Sequence, residues 1–569
     1  MSILSVIGGP PIVIGKVRAA LSLSAQTLVF SGTLVLPIVL YTDARSRNIA
    51  LFIGSLVFLF GLLMLLWLGP ILSGLLSFSA MIGIYGASKF KFWLTGSMLN
   101  AWDIYTYGNF DTLLYVKDLY PKHYLYLYAG LALLFLLAIA VLWFEKYKKP
   151  SRLNAATFVL LLLYGFLASS RGLFIDQQHP STLILSIIES LPELVAGRVF
   201  EYGEPIPLDP QQVVAARSNR CSPPSHTIYP NVVVILRESI VIPSTVQGMG
   251  VPQIDEGRFA SSDGRTYHLR VEAFGGGSAR TIFSVLTGLS VQSFLGGMRN
   301  IATDLTPGNL RYSLPLQMRM CGYRTIAITT GHKGYVPSGH FYHSIGFQDY
   351  FDLNDILRRT SGDSSDRAIY GFLSEIMATK NAGSPIFAYV DTVASHAPYS
   401  YAVRPEETVR EADLVANPII SEYVRRLIIG ERDLEKFIQH FRESGVSGGR
   451  PLVVLDFGDH QPYFTRDLPR PSGYVNEGRD HDDPHMLTYF RIQSTGRALA
   501  ELPADHAIVD AAFLSDWLLR ALDLQIEGIY KIRWSLVERC KSRYWQCEGN
   551  SAAHELHQVL RAAGLVNYP

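Results

Sequence analysis

Long uncharged runs are confined to one end of this chain: nearly all lie before about residue 175, and the rest reads as an ordinary water-soluble α/β sequence. A helix rises about 1.5 Å per residue, so roughly 20 apolar residues cross the ~30 Å hydrocarbon core of a bilayer. The asymmetry therefore predicts a membrane domain followed by a soluble one. Five segments meet or nearly meet the length: 21–41, 49–68, 71–88, 123–144 and 153–173. The second and third are separated only by Gly69 and Pro70, either a hairpin turn or a break in one helix, which makes four spans the alternative.

Lys and Arg in short loops mark the cytoplasmic side. EKYKKPSR, from Glu145 to Arg152, carries the strongest cluster, and Lys16 and Arg18 before the first segment agree with it. With five spans and both loops inside, everything after Leu173 lies on the periplasmic or extracellular side of a bacterial plasma membrane; Arg45 and Arg47 then fall outside, against the trend. The first apolar run is too long for a signal-peptide core and no small-residue cleavage site follows it, so a cleavable leader is not expected. The aromatic-rich stretch from Lys89 to Pro121 suits the headgroup region, where Trp and Tyr are favoured. The predicted organisation is 1–174 transmembrane, 175–227 connecting, 228–530 catalytic and 531–569 a C-terminal tail. A charged fraction of 17% fits a membrane protein, and a net charge of +1 gives no basic bias towards nucleic acid.

Cysteines are Cys221, Cys321, Cys540 and Cys547, without a CxxC pair, so zinc-ribbon and thioredoxin-type chemistry has no support. Cys540 and Cys547 are close enough to bridge; free thiols are the other reading, and connectivity is not deducible from sequence.

In the soluble part, NVVVILRES (Asn231–Ser239) has a β-branched run without alternation, the mark of a strand buried on both faces of a parallel sheet. GYRTIAITTGH (Gly322–His332), PIFAYVDTVASHAPY (Pro385–Tyr399) and PLVVLDFGDHQP (Pro451–Pro462) repeat the pattern, with helical stretches such as 421–444 between them. Strands alternating with helices imply a doubly wound α/β domain, whose ligands gather at the carboxyl ends of the strands. That edge would receive Glu238, His396, Asp459 and His460, a mixed oxygen and nitrogen set suited to manganese or zinc.

FGGGSARTIFSVLTG, from Phe274 to Gly288, admits a phosphate-cradling loop or a nucleophilic serine. A Walker A loop needs a Lys after its glycines, and here Ser278, Ala279, Arg280 and Thr281 follow; the dinucleotide Gly spacing is also missing. Ser278 instead opens a helical run, at a terminus whose N–H groups favour an anion or a developing alkoxide.

These segments, with FYHSIGFQDYF at Phe341, resemble the alkaline phosphatase and sulfatase superfamily over most of the chain, up to about residue 525. Five spans ahead of the catalytic domain narrow the resemblance to the membrane-anchored transferases: lipoteichoic acid synthase, the phosphoglycerol transferases and the lipid A phosphoethanolamine transferases. Leu286, Thr287 and Gly288 fall where a sulfatase carries them relative to its nucleophile, which marks Ser278. The sulfatase proline is missing and Arg280 stands two places early, so conversion of Ser278 to formylglycine is not expected. The transferases use an unmodified threonine there, and this chain looks like a serine version.

The resemblance implies one divalent metal ion held by Glu238, Ser278, Asp459 and His460. It also implies catalytic roles for Ser278, His396 and His485, with His332 and Lys333 as further contributors. The family's Trp and Arg for glycerol phosphate are replaced, since Tyr335, Val336, Pro337 and Ser338 stand at that segment. The expected reaction moves a phosphoglycerol or phosphoethanolamine headgroup from a phospholipid donor, through covalent Ser278, to a glycan or glycolipid acceptor. A membrane-anchored phosphodiesterase or phosphatase and a non-catalytic glycan-binding sensor are the competing readings.

Overall fold

A computed structural model of the chain describes two long helices in the N-terminal third, isolated positions around them, and most of 199–569, the longest gaps being 296–305 and 470–482. Two compact units emerge, one within 1–192 and the other comprising 193–569 with two short pieces from before it.

In the first unit, helices α1 (Pro70–Thr95) and α2 (Pro121–Phe144) coincide with the third and fourth apolar segments. Segments 21–41 and 153–173, nearly all of 49–68 and the Glu145–Arg152 loop lie outside the described residues. Over the described residues alone, no helix is long and apolar enough to cross a membrane. On α2, Leu125, Leu131, Leu133, Phe135 and Leu136 are all more than half exposed. At about 100° per residue those positions spread over an arc of about 200°, an exposed apolar face where a helix of a water-soluble domain shows a polar one.

The second unit is organised by an eight-stranded sheet. Its strands are β1 (Asn231–Arg237), β2 (Tyr267–Arg270), β3 (Arg324–Ile328), β4 (Asp349–Phe351), β5 (Ile386–Asp391), β6 (Leu452–Gly458), β7 (Leu487–Thr495) and β8 (Ile508–Asp510). They lie in the order β8-β2-β7-β6-β1-β5-β3-β4. The four strands read from sequence, β6, β1, β5 and β3, are adjacent and parallel. The antiparallel β7, not read from sequence, joins β6 to the β2 edge.

Burial on both faces explains the apolar runs. Val232, Val234 and Leu236 of β1 belong to one large cluster, Val233 and Ile235 to a second on the opposite face, and all five are 2% exposed or less. The second cluster is covered by helices α4 (Asp366–Lys380) and α5 (Pro418–Glu443), through residues such as Leu373, Leu434 and Phe437. The first is covered by helix α3 (Ser278–Thr287), through Phe283, Val285 and Leu286.

The segment 531–569 is built into this domain and is not a tail. Helices α6 (Ile529–Arg539) and α7 (Ser551–Ala562) send Val537, Leu556, Val559 and Leu560 into the first cluster. Their apolar residues recur at helical spacing, and burying each adds roughly 1.5–3 kcal/mol. His557 of α7 is fully buried, and burial lowers its pKa to about 3. Its ring meets the Tyr544 hydroxyl at 2.8 Å and the Glu201 carbonyl, which ties the middle of the connecting segment to the C-terminal helix.

Cys540 and Cys547 form one disulfide, and Cys221 and Cys321 a second with a sequence separation of 100. Closing a loop of that size stabilises by up to ~4.7 kcal/mol on the chain-entropy account. Two bridges with no free cysteine fit an oxidising compartment.

Candidate active site

Parallel register aligns the strand ends. Leu236 of β1 sits opposite Asp391 of β5, and Arg237 opposite Gly458 of β6, so Glu238, Thr392 and Asp459 emerge side by side. A Cβ at Gly458 would fall 2.0 Å from the Ile240 carbonyl oxygen, so only glycine lets the two strand ends approach this closely. The three glycines before Ser278 serve conformation. Gly275, Gly276 and Gly277 have φ of 66°, 148° and 88°, in the left-handed region that side chains disfavour, and turn the chain into α3 with Ser278 as its first residue.

Four of the sequence-selected residues converge here. Glu238, Asp459 and His460 bring one ligand atom each to within 4.8 Å of one another. His460 Nε2 lies 3.4 Å from Glu238 Oε1 and 3.3 Å from Asp459 Oδ2. The Ser278 hydroxyl reaches Glu238 Oε2 at 3.4 Å. Asp459 Oδ2 and His460 Nε2 are buried without a hydrogen-bond partner in the protein. His460 Nδ1 faces the Gln461 carbonyl at 3.0 Å, which assigns its proton to Nδ1 and leaves the Nε2 lone pair for a ligand.

Electrostatics point the same way. Burial lifts the Asp459 carboxyl to about 6, and the Glu238 charge adds to the lift. Burial draws the His460 pKa down, but Asp459 and Glu238 outweigh it and the net shift is upward. Two buried carboxylates, an imidazole lone pair and a hydroxyl suit a divalent cation, which satisfies orphaned acceptors that the protein leaves open.

His396 and His485 reach the same strand-end edge on separate loops. His396 follows β5, and its loop is clamped from two sides. Asp366 of α4 accepts from the Val393 and Ala394 N–H groups at 2.8 and 2.9 Å. Arg426 of α5 donates to the carbonyls of His396, Pro398 and Tyr401 at 2.6–2.8 Å. His485 stands just before β7, its ring 5.2 Å from that of Phe274, which precedes the three glycines. Both its nitrogens have protein neighbours, Nε2 the Thr465 carbonyl at 3.1 Å and Nδ1 the Asp483 carboxylate at 3.3 Å. His332 is buried beyond the end of β3. Lys333 and 335–337 lie outside the described residues, and Ser338 begins a short helix.

Sequence reasoning passed over Asp391, whose carboxyl burial raises to about 7, with the Asp459 and Glu238 charges pushing the same way. The signal was available: Asp391 closes an apolar run just as Asp456 and Asp459 do around the end of β6. Arg426 and Asp366 left no such mark, since they come from helices distant in sequence.

Burial also lifts Asp366 to about 6, although the Val393 amide, the Arg237 charge and the Ala394 amide oppose it. A carboxyl whose folded pKa exceeds its unfolded value gives stability that is present at low pH and lost as pH rises through the folded pKa. Wild type should therefore gain about 1.4 kcal/mol relative to Asp366→Asn between pH 7.5 and 5, the equivalent of one pH unit below the folded pKa. Parallel melting curves of both proteins in detergent measure this; a difference that does not change with pH would contradict it.

Residues 230–493 match the family model described as Sulfatase. The chain carries a Sulfatase-family domain. An uncharacterized protein of Haemophilus influenzae is 22% identical over 355 residues, 59% of this chain and 62% of the relative, so the match spans less than two thirds of the relative's length. Among solved structures, the sulfatase-like chain is similar to the Streptococcus pyogenes phosphoglycerol transferase GacH in complex with sn-glycerol-1-phosphate, at 16% identity, 63% of this chain, 94% of that one and a TM-score of 0.46. It is similar to the lipoteichoic acid synthase LtaP from Listeria monocytogenes at 18% identity, 55% and 78% coverage and a TM-score of 0.40. The integral membrane lipooligosaccharide phosphoethanolamine transferase A of Neisseria meningitidis matches 89% of this chain and 95% of its own, at 10% identity and a TM-score of 0.49.

Proposed function

We propose that the protein is a membrane-anchored transferase that moves a phosphoglycerol or phosphoethanolamine headgroup from a phospholipid to a glycan or glycolipid of the cell envelope. The observation that carries this reading is the Ser278 hydroxyl, at a helix N-terminus and within 3.4 Å of Glu238, beside buried Asp459 and His460 atoms that have no hydrogen-bond partner in the protein. One divalent cation, manganese or zinc, held by Glu238, Ser278, Asp459 and His460, would supply Lewis acidity and a lowered hydroxyl pKa.

Ser278 Oγ attacks the phosphorus of the lipid phosphodiester, its proton leaving to a nearby base. The bond to the diacylglycerol oxygen breaks, and the headgroup remains on Ser278 as a new phosphodiester. The uncapped N-terminus of α3 directs its N–H groups and positive dipole end at the developing charge. An acceptor hydroxyl then displaces Ser278. His396 is assigned the proton transfers to and from leaving and entering oxygens, and His485, whose nitrogens both face protein oxygens, joins them once its contact with the Thr465 carbonyl is released.

The broad exposed apolar face of α2 supports a lipid-facing N-terminal domain, and the two disulfides support placement of the sulfatase-like domain outside the cytoplasm. Liposomes carrying headgroup-labelled phosphatidylglycerol or phosphatidylethanolamine test the whole reading. Label bound covalently to the protein, then chased onto an added glycolipid, is the expected result. Label released to water with equal efficiency in the presence of glycolipid would replace the transferase by a phosphodiesterase.

A further inference from the structure

We propose that Ser239 is the positioning residue that sets the geometry of this metal centre, by holding the non-coordinating atoms of its protein ligands. The proposal rests on reading Glu238, Asp459 and His460 as metal ligands.

Ser239 is 3% exposed and touches every member of the trio. Its N–H donates to Asp459 Oδ1 at 2.8 Å. Its hydroxyl donates to Glu238 Oε1 at 2.8 Å and lies 3.5 Å from His460 Nδ1. The atoms left over, Asp459 Oδ2, His460 Nε2 and Glu238 Oε2, are the ones without a partner or next to Ser278. One small side chain and one amide thereby fix which face each ligand presents.

Backbone conformation makes this possible. Ser239 has φ of 56°, in the left-handed region, directly after an extended strand. That reversal points its N–H towards the neighbouring strand end while its hydroxyl turns back to the preceding residue. The Tyr423 hydroxyl of α5 donates to the Ser239 carbonyl at 3.1 Å and accepts from the Val241 N–H at 3.2 Å, which locks the turn from outside. A glycine would adopt this conformation with less strain. A serine here is explained by what its hydroxyl holds.

Two substitutions separate hydroxyl from backbone. Ser239→Ala removes the hydroxyl and keeps the strained turn; Ser239→Gly removes the hydroxyl and relieves it. Residues that orient metal ligands typically change metal affinity by about 10–100-fold when removed. Both full-length variants in detergent should therefore bind Mn²⁺ or Zn²⁺ in equilibrium dialysis with an affinity lower by about that factor, and their Co²⁺ forms should show altered d–d absorption. Circular dichroism of the metal-free proteins checks that both variants are folded, and Gly is the variant expected to fold best. Wild-type affinity in both variants overturns the proposal alone. Wild-type affinity in Gly with loss in Ala assigns the effect to the backbone and also overturns it. A wild-type protein that binds none of these ions overturns the reading of the metal centre, and this proposal with it.

Discussion

Ser278→Ala should reduce headgroup transfer by a factor on the order of 10⁴ or more, the scale on which removal of a covalent nucleophile acts. The measurement is diacylglycerol release from phospholipid liposomes, followed alongside covalent labelling of the protein. Both should vanish together. The variant should fold and melt as wild type does, because the hydroxyl's contacts are with the acids of the site, Glu238 at 3.4 Å and Asp459, and not with the core. Release of diacylglycerol at the wild-type rate would sink the covalent mechanism. Release at a slow residual rate without labelling would show water attacking in a site that still holds the phosphate.

Arg237→Met should destabilise the sulfatase-like domain by about 3–5 kcal/mol, the range for breaking a buried ion pair on one side. Arg237 and Arg491 lie beneath the strand ends with Glu431 and Asp456, two cations against two anions, each about 2% exposed or less. Arg237 bonds Glu431 and stands 3.7 Å from Asp456. Arg491 reaches both acids at 2.6 Å. Burial pushes the Glu431 pKa up, but the two arginines outweigh it and hold the group ionised. Removing Arg237 therefore leaves one uncompensated negative charge among side chains that are almost fully buried. A melting curve of the variant in detergent should shift down by several degrees. Adding Glu431→Gln should recover part of the loss, since it restores the charge balance; a double variant less stable than R237M would show that shape, not charge, holds the network.

Much of this site was legible in order along the chain. NVVVILRES, PIFAYVD and PLVVLDFG announce doubly buried strands because an interior parallel strand has no polar face to display, and the acids that follow mark their carboxyl ends. Ser278 was legible by its neighbours, the glycines before it and Leu286-Thr287-Gly288 after it. Less legible was the C-terminal segment: it lies beyond the stretch that the resemblance covers and was expected to be a tail, while its helically spaced apolar residues fill the same core as β1 and β5. The Cys221–Cys321 bridge was hidden because pairing depends on where β1 and β3 bring their flanking loops.

The sequence by itself determined the residue types, the strand periodicity and the glycine turn that precedes Ser278, because these are local properties of the chain. Only the tertiary structure decided that Glu238, Asp459 and His460 share one cluster, that Ser239 touches all of them, and that Arg426 and Asp366 hold the His396 loop. Those relations join positions as far apart in the chain as Glu238 and His460. They follow from strand order and register, which place β6 and β5 on either side of β1, and no local pattern encodes which strand will lie beside which.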